Sequence, residues 1–275
     1  MLTLVKSHKT FGGRTEFWVH ASKYTQTEMK FSTFIPEGNI AGCLVWLSGL
    51  SCTEENFIIK AGAQKFLAEK KLMIICPDTS PRGLNLQDEH TSYDFGSGAG
   101  FYVDATVDPY TANYKMYSYV TDEIYDIVQA HFRVKNISIF GHSMGGHGAL
   151  TIGLKNPDKF KSISAFSPIV NPIQSAWGKK AFLGYLGNDE KLWESYDTCA
   201  LLNNGKKHPA EILIHQGTKD EFLEKQLLIE KFAKTAKACD QKFKLEMADG
   251  YDHSYYFIST FIEQHILHHA HHLKN

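Results

Sequence analysis

The nine residues Phe140-Gly141-His142-Ser143-Met144-Gly145-Gly146-His147-Gly148 decide the fold. They contain G-x-S-x-G. The five residues ending at Phe140, NISIF (136–140), are apolar and strand-like, and 145–156 carries a helical pattern. A serine on a sharp turn from strand to helix is forced into a strained backbone conformation, and glycines two residues to either side relieve the crowding. The turn lifts the hydroxyl above the carboxyl end of the strand, where free amides and the helix dipole face developing negative charge. The bare five-residue pattern is common by chance. Its strand–turn–helix setting is what makes Ser143 the expected nucleophile.

On both sides of this elbow, short apolar runs alternate with amphipathic stretches. The runs are CLVWL (43–47), LMIIC (72–76), NISIF (136–140), SISAF (162–166), EILIH (211–215) and KFKLEM (242–247). Helical patterns cover 61–71, 116–132, 145–156, 221–239 and 254–270. Continuous apolar runs read as buried parallel strands, and β–α alternation predicts right-handed crossovers with helices on both faces. Two earlier segments, Glu16–His20 and Met29–Ile35, are aromatic or β-branched and read as antiparallel strands at the sheet edge. The expectation is an α/β-hydrolase fold, a doubly wound and mostly parallel sheet forming one domain over 1–275.

Bulk properties agree with a globular enzyme. Of the 275 residues 43% are hydrophobic and 21% charged, enough to bury a sizeable core. A formal net charge of -1 gives no reason to expect nucleic acid or acidic lipid as a partner. No apolar run reaches membrane-spanning length, and MLTLVKSHKTFGG lacks the apolar stretch of a signal peptide. Five cysteines (43, 52, 76, 199, 239), odd in number and without C-x-x-C spacing, argue against a disulfide framework and for a reducing cytoplasm.

A serine hydroxyl is a weak nucleophile, so a base and an orienting acid must follow in the order Ser, acid, His. His253 lies in the loop between KFKLEM and the last helix, where the base is needed. Asp220 is the first carboxylate after EILIH and the expected acid; Asp249 and Asp252 compete but lie too near His253 in sequence to orient it easily. The oxyanion donors are expected to be the backbone amides of Met144 and of Leu50, in the turn Leu47-Ser48-Gly49-Leu50-Ser51-Cys52-Thr53 after the third strand.

Over essentially its whole length the chain resembles the S-formylglutathione hydrolase, or esterase D, family. The resemblance runs through WLSGLSCTEENF (46–57), PDTSPRG (77–83), DFGSGAGFYVDAT (94–106), FGHSMGGHGAL (140–150), NPIQSAWGKKAF (171–182), HQGTKDEFL (215–223) and GYDHSYYFISTFI (250–262). It implies hydrolysis of S-formylglutathione to glutathione and formate in formaldehyde detoxification, with short-chain esters cleaved as side reactions. It also implies a cytoplasmic homodimer that needs no metal or cofactor, and it matches Ser143, Asp220, His253, Leu50 and Met144 to the family's site. The family usually reads I-D-Q-G where this chain reads Ile214-His215-Gln216-Gly217. The elbow and triad alone would equally suit a general carboxylesterase or an acyltransferase; a non-catalytic binding protein on this scaffold would be expected to have lost a triad member.

Other features carry weaker signals. Gly96-Ser97-Gly98-Ala99-Gly100 follows no strand and lacks the third glycine of a dinucleotide loop, so it reads as a permissive loop near the site. Cys52 has no elbow and is expected to modulate rather than catalyse, since the resemblance puts it near the serine. Trp177 suits either the acyl pocket or core packing. Lys179 and Lys180 could meet glutathione carboxylates but read as solvated surface lysines. In the tail, His265, His268 or His269, and His272 share a helix face; the expectation is a polar face, with adventitious nickel or zinc binding as the alternative.

Overall fold

The structure, a computed structural model, describes residues 2–273. Its strands are β1 (Leu2–Thr10), β2 (Gly13–Ala21), β3 (Glu28–Pro36), β4 (Gly42–Leu47), β5 (Leu72–Pro77), β6 (Ile137–His142), β7 (Ile163–Phe166), β8 (Ile212–Gly217) and β9 (Phe243–Ala248). The helices are α1 (Glu55–Lys60), α2 (Gln64–Lys70), α3 (Met116–Ser118), α4 (Tyr125–Ala130), α5 (Met144–Lys155), α6 (Ala176–Leu186), α7 (Glu190–Glu194), α8 (Thr198–Asn203), α9 (Ile229–Ala238) and α10 (Tyr255–Leu273). One sheet takes the order β1-β2-β3-β5-β4-β6-β7-β8-β9. The first three strands pair antiparallel, as does β3 with β5, and every pairing from β5 to β9 is parallel. This is the α/β-hydrolase architecture.

Burial explains why the apolar runs became the centre of the sheet. β4, β5 and β6 are buried at every position, as strands covered on both faces must be. One face packs under α1, α2 and α10, with Trp46 stacked on Phe57 at 4.0 Å and edge-on to Phe140 at 4.8 Å. The other face carries α5, whose residues Met144 to Leu154 are all buried. Its glycines permit this close approach: a Cβ on Gly153 would collide with the Ile163 side chain.

Several expectations need correction. The run 43–47 is the fourth strand, because β1 precedes the two edge segments. β1 is exposed along most of its length, so no buried face imposes a readable alternation. The helix within 61–71 is α2 (Gln64–Lys70), shorter than the pattern because Gly62 at φ +66 precedes it, and α1 (Glu55–Lys60) had no counterpart in the pattern. Within 221–239, Leu228 in the left-handed region separates a π-turn (Leu223–Leu227) from α9. Helices α6 to α8 had no counterpart in the pattern. The tail is not simply a polar face either. His265 and His269 lie on the buried stripe of α10 with Ile258, Ile262 and Ile266. His265 is 3.0 Å from His215 Nδ1 and 2.7 Å from Ser164 Oγ. His269 is 2.8 Å from Ser164 Oγ and 2.7 Å from Ser162 Oγ, which lies 2.8 Å from Ser138 Oγ. Small hydroxyls on the sheet side give these imidazoles the partners burial requires.

Candidate active site

Ser143 sits between β6 and α5 at φ +58, ψ -119, a region non-glycine residues rarely occupy. Its amide donates to the Phe166 carbonyl at 3.0 Å, and its carbonyl accepts from the His147 and Ile169 amides at 3.0 and 3.2 Å. These bonds hold the strained turn in place. A Cβ on Gly145 would overlap the Leu47 carbonyl, and one on Gly141 would overlap the Gly145 carbonyl. The two glycines of the elbow therefore let the turn lie directly over the end of β4.

His253 lies in the loop from β9 to α10, and Asp220 in the loop after β8. Their side chains meet, with His253 Nδ1 2.6 Å from Asp220 Oδ2. Asp220 also accepts from the Phe222 amide at 3.0 Å and the Gln216 side-chain amide at 3.2 Å. Burial alone would raise this carboxyl. The hydrogen bond from His253, with that from the Phe222 amide, instead holds it below the ordinary carboxylate value. An ionised carboxylate can only accept, so Nδ1 carries the imidazole proton and Nε2 keeps its lone pair. The ring is flanked by His142 at 4.3 Å and by the Phe222 ring, edge-on, at 5.0 Å. The competing carboxylates are engaged elsewhere. Asp252 accepts from Ser254 Oγ and N at 2.6 and 3.0 Å, and Asp249 from Thr218 Oγ1 at 3.1 Å.

Ser143 and His253 open into one cleft of about 320 Å³, whose wall also includes Leu50, Cys52, Trp177 and Phe222. Among the described residues, neither the Leu50 nor the Met144 amide has a hydrogen-bond acceptor. Two backbone donors are therefore unspent, one on the cleft wall at Leu50 and one in the residue that follows Ser143. A larger groove of about 560 Å³, lined by Cys199, Asn203 and Lys231 among others, contains neither a serine nor a histidine.

Cys52 faces the cleft and is largely covered; burial pushes its thiol up, against the pull of Lys60. Trp177 lines the cleft and also packs in the core, 4.7 Å from the Phe222 ring and 6% exposed. Gly96 and Gly98 adopt φ +78 and +81, and the Gly98 carbonyl accepts from the Ser51 amide at 2.9 Å. That loop braces the Leu50–Cys52 segment. Lys179 and Lys180 are exposed surface residues, and Lys180 pairs with Asp94 at 2.6 Å. Residues the sequence reading passed over also line the cleft, chiefly Lys60, Tyr93, His142 and Tyr255. His142 was visible as the variable position of G-x-S-x-G and Tyr255 lay in the stretch 250–262; Lys60 and Tyr93 lay outside the quoted stretches, and none of these three carried a chemical signal of its own. Among the described residues, no cluster of three or more His, Cys, Asp or Glu is arranged to hold a metal, and no helix is long and apolar enough to cross a membrane.

Comparison with known proteins agrees with this geometry. The Esterase family model matches residues 22–268. The S-formylglutathione hydrolase of Mus musculus is 51% identical over 281 residues, covering 99% of this chain and 99% of the relative. That of Arabidopsis thaliana is 48% identical over 276 residues, covering 98% and 97%. The solved S-formylglutathione hydrolase of Agrobacterium tumefaciens superposes with a TM-score of 0.95 at 45% identity, covering 98% of this chain and 99% of the other. With near-complete coverage at such identity, and with the elbow and cleft of a serine esterase, the chain belongs to the S-formylglutathione hydrolase family of α/β-hydrolase esterases.

Proposed function

We propose that this protein hydrolyses S-formylglutathione to glutathione and formate, a step of formaldehyde detoxification, with Ser143, His253 and Asp220 as its triad. The observation that carries the reading is the 2.6 Å pair between His253 and Asp220, in the same site as a serine at positive φ. His253 Nε2 takes the Ser143 proton as Oγ attacks the formyl carbonyl, and Asp220 stabilises the imidazolium that forms. The Leu50 and Met144 amides hold the tetrahedral oxyanion, each worth about 3 kcal/mol by the usual effect of such donors. Collapse expels the glutathione thiolate, which takes the proton from His253. Water then attacks the formyl-enzyme by the same relay, releasing formate.

A thiolate leaves readily and a formyl group is small, so discrimination rests on a restricted acyl pocket and on recognition of the tripeptide. Cys52 and Trp177, on the cleft wall, would limit acyl length, leaving short-chain esters as side substrates. We further propose a single catalytic domain, acting as a homodimer in the cytoplasm without a cofactor. The test is turnover of S-formylglutathione, followed as thioester loss and formate release, in the wild type and in Ser143→Ala. Efficient turnover by the first and none by the folded variant is expected. A higher kcat/KM on a short aryl ester than on the thioester would return the protein to the general carboxylesterases.

A further inference from the structure

Lys60 ends α1 at the rim of the cleft that holds Ser143 and His253. Of the residues lining that cleft it alone bears a permanent charge; the rest are neutral apart from the two titratable histidines. Its Nζ lies 5.6 Å from the centroid of the Tyr255 ring, another cleft residue, and no carboxylate among the described residues lies within ion-pair distance of it. Two other cations in this region are already matched. Arg82 is 2.8 Å from Asp78 and donates to the Cys52 carbonyl at 2.9 Å, and Lys180 is bound to Asp94 and Ser92. Lys60 is thus held over the cleft by an aromatic face, which directs an ammonium without neutralising it.

The proposed substrate supplies the missing countercharge. A glutathione thioester at neutral pH carries two carboxylates against one ammonium, all on the leaving group. The formyl group is too small to identify the substrate by itself, so selection has to act on the tripeptide. We infer that Lys60 is a specificity-determining residue that receives a carboxylate of the tripeptide, so that the cleft prefers anionic glutathione thioesters to neutral acyl compounds. This assignment rests on the hydrolase reading above and adds the contact that separates a glutathione thioesterase from a general esterase. Because the lysine is exposed, its contribution is screened by salt and modest in size, and it acts on binding rather than on the acyl-transfer chemistry.

The experiment compares S-formylglutathione with its dimethyl ester, which keeps the acyl group and thiolate but masks both carboxylates. Wild type, Lys60→Gln and Lys60→Arg are assayed on both at low and at physiological ionic strength. Lys60→Gln should reduce the preference for the diacid over the diester about three- to fivefold, mainly through KM, in line with loss of one exposed ion pair. Lys60→Arg should restore most of it, and the salt dependence of diacid turnover should flatten in Lys60→Gln. Equal losses on both substrates would make Lys60 a structural residue, and an unchanged preference would remove it from substrate recognition; either result overturns the assignment. If wild type turns over neither thioester, the hydrolase reading falls and the assignment with it. If wild type turns over the diacid and Lys60→Gln does so equally well, only the Lys60 assignment falls.

Discussion

Lowering the pH from 7 to 5 should cost this protein a large part of its stability, because several imidazoles are locked neutral inside it. His147, in α5, is fully buried, with Nε2 2.9 Å from the Phe101 carbonyl. A carbonyl only accepts, so Nε2 carries the proton and the buried Nδ1 has no partner. Burial pulls its pKa down to about 4. In the unfolded chain the same ring titrates near ~6.5. With the folded value the lower of the two, its contribution is complete above ~6.5 and is lost as the pH falls toward the folded value; between pH 7 and 5 that loss is about 2 kcal/mol. His265 and His269 are shifted the same way, first by burial and then by neighbouring histidines, His215 foremost for His265 and His268 for His269. They belong to the chain His215–His265–Ser164–His269–Ser162–Ser138, in which the neutral rings of His265 and His269 each give one hydrogen bond and take one. A further proton on His269 makes both nitrogens donors and puts an unpaired charge between α10 and the sheet. His147 alone should remove about 2 kcal/mol, out of a usual total of 5–15 kcal/mol, and protonating a relay histidine adds to that loss. Urea unfolding followed by circular dichroism at pH 7 and 5, at fixed ionic strength, measures this. His269→Gln, whose amide cannot titrate, should start less stable at pH 7 but lose less on acidification. A stability that stays flat from pH 7 to 5, or equal slopes for the two proteins, would refute the reasoning.

Two further outcomes test the site itself. Asp220→Asn should lower kcat by about four decades, since an amide at 2.6 Å from Nδ1 favours the wrong tautomer, while Asp252→Asn, which only loosens a turn to Ser254, should be far milder; reversed effects in steady-state assays would make Asp252 the acid. Cys52→Ser should remain active and become resistant to bulky maleimides, which should inhibit the wild type slowly and faster at higher pH because burial holds the thiol in its protonated form; a dead Cys52→Ser enzyme would assign the thiol a chemical role.

How much was legible in the chain depended on how local the cause was. The elbow was legible because its requirements are contained in five residues: a strained serine, glycines where the Leu47 and Gly145 carbonyls leave no room for a Cβ, and a strand and a helix on either side. The parallel strands were legible because burial on both faces writes an apolar run directly into the sequence. Chain order then left few places for Asp220 and His253. Helices α7 and α8 were missed because they are only five and six residues long. Each is started by an aspartate, Asp189 or Asp197, whose side chain accepts from the first-turn amides, and no helical period can develop over so short a span.

The tail histidines failed for a different reason. On a helix the pattern His265, His268, His269, His272 is the same whether the face meets water or a sheet. The deciding groups are Ser138, Ser162, Ser164 and His215, which lie 50 to 131 residues away in sequence on β6, β7, β8 and beside β7. Serine within an apolar strand run reads as a weak strand residue. It becomes a hydrogen-bond partner only when the register of β6, β7 and β8 aligns the hydroxyls under α10. His215 gains meaning from that alignment. A carboxylate there would face His265 as an ion pair, whereas a second imbalance-free imidazole extends a neutral chain that acid disrupts. The consequence reaches the site, because α10 begins at Tyr255, two residues after His253. Protonating the buried end of this helix weakens the anchor of the loop that presents the base, so loss of α10 packing in acid should be followed by loss of the His253–Asp220 contact.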